Sequence, residues 1–196
     1  AGHLPDHPYP WQSPDPAVLS PMPETLIRPA VPDDAPALSP LGRRTFIETF
    51  VEDLGIPYPD KDLLPFLDEC FSLDATRQRL ADPQHKVWVA CVDDRIVGYA
   101  NAGRCRIPHP DARPEHTELF RLYVGRESQG LGLGTALLDT ALEWMGGHTN
   151  GPVWLGVWSG NLRAQRLYQA YGFSIVGEFE YPVGDWTDEE FAMRRP

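Results

Sequence analysis

Seven consecutive residues, Gln129, Gly130, Leu131, Gly132, Leu133, Gly134 and Thr135, carry the clearest chemistry in the chain. Three alternating glycines leave main-chain N–H groups uncovered by any Cβ. They follow a strand-like run and open a helical pattern, so the partial positive charge of a helix N-terminus adds to those donors. The result is a basin for a phosphate group. Two familiar phosphate patterns fail. A G-x-G-x-x-G fingerprint begun at Gly130 or Gly132 needs its last glycine at Thr135 or Leu137, and no Gly-Lys-Ser/Thr follows to make a P-loop. On the residues alone, a glycine-rich turn that only lets a strand enter a helix fits as well.

A second group stands further on. Asn161, Ala164 and Tyr168 fall on one helical face, because a spacing of seven is about two turns. Ala164 keeps that face open, and Leu167 and Tyr171 take the neighbouring apolar stripe. Asn161 as a plain N-cap and Tyr168 as half-buried packing are equally compatible with this spacing.

The elements that must position these groups follow from patterning. Residues 25–28 read as a short strand ended by Pro29. Pro32-Asp33-Asp34 signals a helix start. The helical pattern then runs to Phe50, burying Leu38, Leu41, Phe46, Ile47 and Phe50, with a bend or break expected at Pro40. Helices are predicted over 60–71, kinked at Pro65, and over 72–80, with Ser72 as a possible cap. Strands over 87–92 and 96–102 are joined around Asp93-Asp94, a hairpin signal. After a polar, proline-containing loop, 118–124 is the fourth strand. The helix after the glycine loop buries Leu137, Leu138, Ala141 and Met145 and is expected to end at Gly146-Gly147. A fifth strand, 153–158, leads into a helix over 161–171 that Gly172 terminates. Strands over 173–181 and 189–194 form a last hairpin. The order is that of an α/β protein with a mixed sheet and helices on its faces.

The chain has 196 residues, read as a proline-rich, disordered segment 1–24 and a single domain 25–196. Tyr9 and Trp11 could dock on that domain or on a second subunit. Lys+Arg number 17 against Asp+Glu 28, a formal charge of −11. Such a balance excludes a nucleic-acid binder, which needs a basic face. It suits a cationic small molecule and, equally, mere solubility. Cys70, Cys91 and Cys105 are an odd number without metal-ligand spacing, as expected of reduced thiols in a cytoplasmic protein. No apolar run is long enough to span a membrane, and the N-terminus does not read as a signal peptide. His109, Asp111, Glu115 and His116 lie in a proline-rich loop without helical spacing, so no metal is expected.

The glycine segment resembles the R/Q-x-x-G-x-G/A signature of the GNAT family of N-acetyltransferases, with Gln129, Gly132 and Gly134 at the fixed positions. Asn161, Ala164, Tyr168, Gly172 and Phe173 are similar to that family's N-x-x-A-x-x-x-Y-x-x-x-G-F motif. The element order over 25–196 matches as well. Within the family, Glu48-Thr49-Phe50, the run 154–158, and 183–188 with Met193 look like the PaiA-type spermidine/spermine N-acetyltransferases. The chain departs from that group at Phe120, where an acidic residue often precedes the equivalent of Arg121.

The resemblance implies a GNAT fold: a central, mostly antiparallel sheet splayed between strands four and five and flanked by helices. It implies acetyl-CoA as co-substrate, its pyrophosphate on the loop Gln129, Gly130, Leu131, Gly132, Leu133, Gly134 and Thr135. The pantetheine arm would bond the main chain of Leu122, Tyr123 and Val124 and the side chain of Asn161, beside Ala164 and Tyr168. The reaction implied is direct acetyl transfer to a primary amine, possible acceptors including a polyamine, an antibiotic, an amino acid or a protein N-terminus. Tyr168 is the candidate general acid and Glu118 the candidate base. Glu48, Glu52 and Asp185, with Asp188, are candidates to receive a cationic substrate. Arg104 and Arg106 are left open between cofactor contact and solubility. A homodimer and a non-catalytic acyl-CoA-binding module are also left open.

Overall fold

The computed structural model describes residues 23–149 and 151–196. The expectations for 1–22, including Tyr9 and Trp11, lie outside the described residues. Seven strands form one sheet in the order β1-β2-β3-β4-β5-β7-β6. They are β1 (Thr25–Pro29), β2 (His85–Val92), β3 (Arg95–Arg104), β4 (Thr117–Val124), β5 (Val153–Trp158), β6 (Ser174–Val183) and β7 (Trp186–Arg195). The helices are α1 (Ala35–Phe46), α2 (Asp60–Phe71), α3 (Leu73–Ala81), α4 (Leu133–His148) and α5 (Leu162–Ala170). The predicted α/β fold class is the one observed.

Strand alternation decides which side chains meet which layer. Along β2, Trp88 and Ala90 turn to a core built on α4, with Leu137, Leu138, Ala141 and Met145. Val87, Val89 and Cys91 turn to the other face, against Leu38 and Leu41 of α1. A third cluster, Phe46, Tyr58, Phe66, Leu67 and Phe71, packs α1 and α2 against Val183. Asp93 and Asp94 both adopt positive φ, as a tight two-residue hairpin requires, so β2 and β3 join where expected.

The pairing of β4 with β5 shapes the molecule's function. It is the sheet's parallel pair and covers only Thr117–Val153, Glu118–Trp154 and Leu119–Leu155. Beyond Leu119 and Leu155 the strands part. The β3–β4 register slips at the same level, leaving Phe120 as the extra residue of a bulge.

Four local expectations are corrected. First, α1 continues unbroken through Pro40. Second, α geometry ends at Phe46, where a π-helical turn runs over Ile47–Asp53, and Ile47 and Phe50 are only partly buried. Third, α4 does not end at Gly146-Gly147 but runs on to His148. There the imidazole stacks on Trp144 at 4.2 Å and its Nδ1 lies 2.7 Å from the Trp144 carbonyl, closing the last turn. Fourth, the last hairpin is longer than read, because β7 begins at Trp186.

Candidate active site

A cleft of about 1220 Å³ occupies the parting of β4 and β5. That exceeds the roughly 300–1,000 Å³ of an ordinary small-ligand pocket, leaving room for two ligands end to end. The glycine loop lines one end and Glu118 lies toward the other. At about 3.3 Å per strand residue, the six steps from Glu118 to Val124 separate those ends by ~20 Å.

At the loop end, Gly130 and Gly132 have φ of +83° and +75°, the left-handed region that favours glycine. Gly132 is the N-cap of α4 and has no side chain to cap it. The first turn of that helix holds no acidic residue. The N–H groups of Leu133, Gly134 and Thr135 therefore have no intrahelical acceptor. A Cβ added at Gly130 or Gly132 would enter open space. Uncapped donors facing an open cradle fit a diphosphate. Gln129 fixes the loop by donating from Nε2 to the Val124 carbonyl at 3.3 Å, and its Oε1 accepts from Arg163 Nη1 at 3.3 Å. Arg163, which the sequence reading passed over, thus brings a cation to the phosphate end.

Along the walls, Leu122, Tyr123 and Val124 line the cleft beyond the point where β5 has left. Asn161 lines it too. Its Oδ1 caps α5 by accepting from Ala164 N–H at 3.0 Å, which leaves its Nδ2 donors for a ligand. Gln165 ties α5 to the end of β5 by donating to the carbonyls of Trp158 and Ser159. That anchor, with the packing of Tyr168 on Phe173, fixes the tyrosine in the cleft wall. Burial, then the charge of Glu190, holds the Tyr168 hydroxyl above the usual phenol range, so it stays protonated.

Of the carboxylates that line the cleft, Glu118 and Glu190 are shifted furthest. Glu118 is 9% exposed, and its Oε2 accepts from the Arg106 main-chain N–H at 2.6 Å. Burial pushes it up to about 7. Glu190 lies on β7 opposite Trp158 of β5 and Phe179 of β6. Burial, then repulsion from Asp188 and Glu118, pushes it up to about 8. Gly156 makes room for it, because a Cβ there would collide with Glu190 Oε2. Asp188 is held by Tyr58 O–H and by Trp186 Nε1–H at 3.0 Å. Sequence reasoning missed Glu190. The available signal was the pair Glu189-Glu190 in a strand, where one of the two must face inward.

The structure does not bring Glu48, Glu52 and Asp185 to this cleft. Glu48 accepts from the Arg126 main-chain N–H at 3.2 Å, and Glu52 pairs with Arg126 at 2.9 Å. The π-helical turn presents both to the segment before the glycine loop. Asp185 is 91% exposed at the β6–β7 turn, 3.7 Å from Lys61. His109, Asp111 and His116 make structural contacts, to Val176 O, Arg194 and Trp154 Nε1 respectively. Among the described residues no three metal-ligating side chains cluster, and no helix is long and apolar enough to cross a membrane.

Comparison with known proteins gives this architecture its class. A solved PaiA N-acetyltransferase from Thermoplasma acidophilum, in complex with coenzyme A, superposes with a TM-score of 0.68 at 20% identity over 88% of this chain and 98% of that one. An uncharacterised N-acetyltransferase of Mycobacterium bovis is 32% identical over 168 residues, 83% of this chain and 97% of the relative. One from Lactobacillus delbrueckii subsp. lactis is 26% identical over 162 residues, 83% of this chain and 91% of that one. The family model for the acetyltransferase (GNAT) family matches residues 45–173. The fold is that of an N-acetyltransferase. The chain belongs to the acetyltransferase (GNAT) family.

Proposed function

We propose that the protein transfers an acetyl group from acetyl-CoA to a primary amine by direct attack, within the single domain 25–196. The observation that carries this reading is the parting of β4 and β5 between an uncapped helix N-terminus and the carboxylates Glu118 and Glu190. The residues suited to hold the carrier are Gln129, Gly130, Leu131, Gly132, Leu133, Gly134 and Thr135 at its diphosphate. Leu122, Tyr123, Val124, Asn161 and Ala164 would line its arm. When bound, the carrier supplies the acetyl group as a thioester.

The protein's own task is to manage protons. An alkylammonium titrates near 10.4 and must lose a proton before it can attack. Ordinary carboxylates are weak bases for that, and raising them to about 7 and 8 narrows the gap. Glu118 is the base of this reading, and Glu190 shares the task as a second acceptor. Tyr168 offers its hydroxyl to the sulfur that departs. A raised phenol pKa keeps that donor neutral at working pH, and its main contribution is a hydrogen bond to developing negative charge. A polyamine acceptor is the narrower form of this proposal. Glu180, Asp188 and Glu190 on the β6–β7 wall are the acids available to it in place of Glu48, Glu52 and Asp185, and Arg79, Arg106 and Arg121 in the same cleft oppose it.

The test is thiol release from acetyl-CoA with and without a panel of amines, spermidine included. Release that depends on an added amine supports the reading. Tight carrier binding with no amine-dependent release would instead leave a carrier-binding module.

A further inference from the structure

Three guanidinium groups, those of Arg79 on α3, Arg106 after β3 and Arg121 on β4, line the same cleft as Glu118. Arg79 and Arg121 are half-buried and Arg106 is exposed. Arg79 donates from Nη2 to the Cys70 carbonyl at 2.6 Å. Arg106 lies 4.1 Å over the Phe120 ring, and Arg121 lies 4.8 Å over the Phe71 ring. None of the three takes part in an ion pair among the described residues. Yet the chain carries 28 acidic residues against 17 basic ones. Carboxylates were plentiful, and this wall lacks a paired one.

Two of the cations act on the third. Burial, then the charges of Arg121 and Arg106, pushes Arg79 down to about 10. Burial, then Arg106, holds the neighbouring His85 below its usual range, so it stays neutral and adds no charge. Of the acids that line the cleft, Glu69 and Glu180 make no ion pair with these arginines, and the others have their own contacts. Asp82 lies 3.7 Å from His85, and Glu118 is bonded to a main-chain N–H. Asp188 is held by Tyr58 and Trp186, and Glu190 stands on the β7 side. Neighbouring guanidiniums without a paired acid gain from an anion that joins them, and their planar forks match a carboxylate.

The wall is not the carrier's diphosphate site. That site is the glycine loop, ~20 Å along β4 from Glu118. Arg121 is three residues from Glu118 on the strand, a main-chain spacing of ~10 Å. Aromatic rings lie between: Phe71, Phe120 and Tyr181 line the same stretch.

The geometry points to an acceptor that is a zwitterion, a primary amine whose own molecule carries a carboxylate seated against Arg79, Arg106 and Arg121. This inference rests on the amine-transfer reading above and specifies its substrate class, an amino acid or short peptide. A polyamine would instead bring further ammonium groups into a cationic wall.

The experiment compares glycine with glycinamide, phenylalanine with phenylalaninamide, and spermidine as polycationic control, in acetylation assays with wild type and Arg121→Met. At least one carboxylate acceptor is expected to exceed its amide by tenfold or more in kcat/KM. Arg121→Met should cut the carboxylate value at least 30-fold and the amide value less than threefold. Arg121→Lys, which keeps the charge, should recover part of the loss. If Arg121→Met does not fold, Arg106→Met serves the same comparison. Amides or spermidine turned over as well as the carboxylates, or equal losses for both, would overturn the inference while leaving amine transfer intact. Calorimetry with N-acetylphenylalanine and its amide reads the same wall without turnover. Carboxylate-dependent binding that Arg121→Met removes supports the inference even if no amine is acetylated, which would place the fault in the transfer reading. Equal binding of acid and amide rejects it.

Discussion

Replacing Glu190 with glutamine should make the protein more stable at alkaline pH and much less active. In the folded chain this carboxyl is pushed from 4.5 up to about 8 by burial and by the charges of Asp188 and Glu118. Between those two values the unfolded chain has lost its proton and the folded chain keeps it, so stability falls as pH rises. The penalty is absent below about 4.5 and complete above about 8. The gap of about 3.5 pH units, at 1.36 kcal/mol each, sets a ceiling of ~5 kcal/mol. Glu190 stands at a solvent-filled cleft, so screening should cut this to ~2 kcal/mol. For a domain of this size that is a rise of ~4–8 °C in melting temperature at pH 9. Glutamine keeps the shape and removes the charge. Scanning both proteins at pH 5 and pH 9 checks it, with the difference expected only at pH 9. Equal melting at pH 9, or the same gain at pH 5, would refute the claim that a buried charge is the cause. Loss of the second proton acceptor should also lower kcat by at least tenfold.

Three further outcomes follow from the site. Tyr168→Phe should lower kcat by tenfold or more while calorimetry shows acetyl-CoA binding intact; an unchanged kcat would remove the hydroxyl from the chemistry. Gly132→Val forces a branched side chain into φ +75° and into the phosphate cradle. Carrier affinity should fall ~100-fold, a loss of ~2.7 kcal/mol, with circular dichroism still native; unimpaired binding would argue against the cradle. Glu118 must be ionised to accept a proton, so kcat/KM should climb through about pH 7 on the acid side. Glu118→Gln should abolish that limb, and a limb that persists unchanged would assign the base elsewhere.

The glycine turn at the end of the cleft was legible because its geometry is local. Gly132, a helix start and a preceding strand are neighbours in sequence, and the spacing of Asn161 and Tyr168 is a property of one helix. What escaped was whatever needed distant elements to meet. Glu190 reaches the cleft only because β7 inserts between β5 and β6. Arg79 and Arg121 converge from α3 and β4 with no periodicity to announce it. Glu48 and Glu52 illustrate the converse. Both were candidates to receive a cationic substrate, but the widened turn after Phe46 aims them at Arg126. His148 extended α4 past two glycines through an aromatic stack that propensity does not count.

The three-residue pairing of β4 with β5 also bears on solubility. Where the strands diverge, each exposes a row of unsatisfied main-chain donors and acceptors, the feature that ordinarily invites another chain to add itself and start a fibril. Here both bare flanks look inward across a narrow gap. A foreign strand would have to thread between α4, α5 and the β6–β7 hairpin to reach them. The molecule thus carries sticky edges at its centre and hides them from its neighbours.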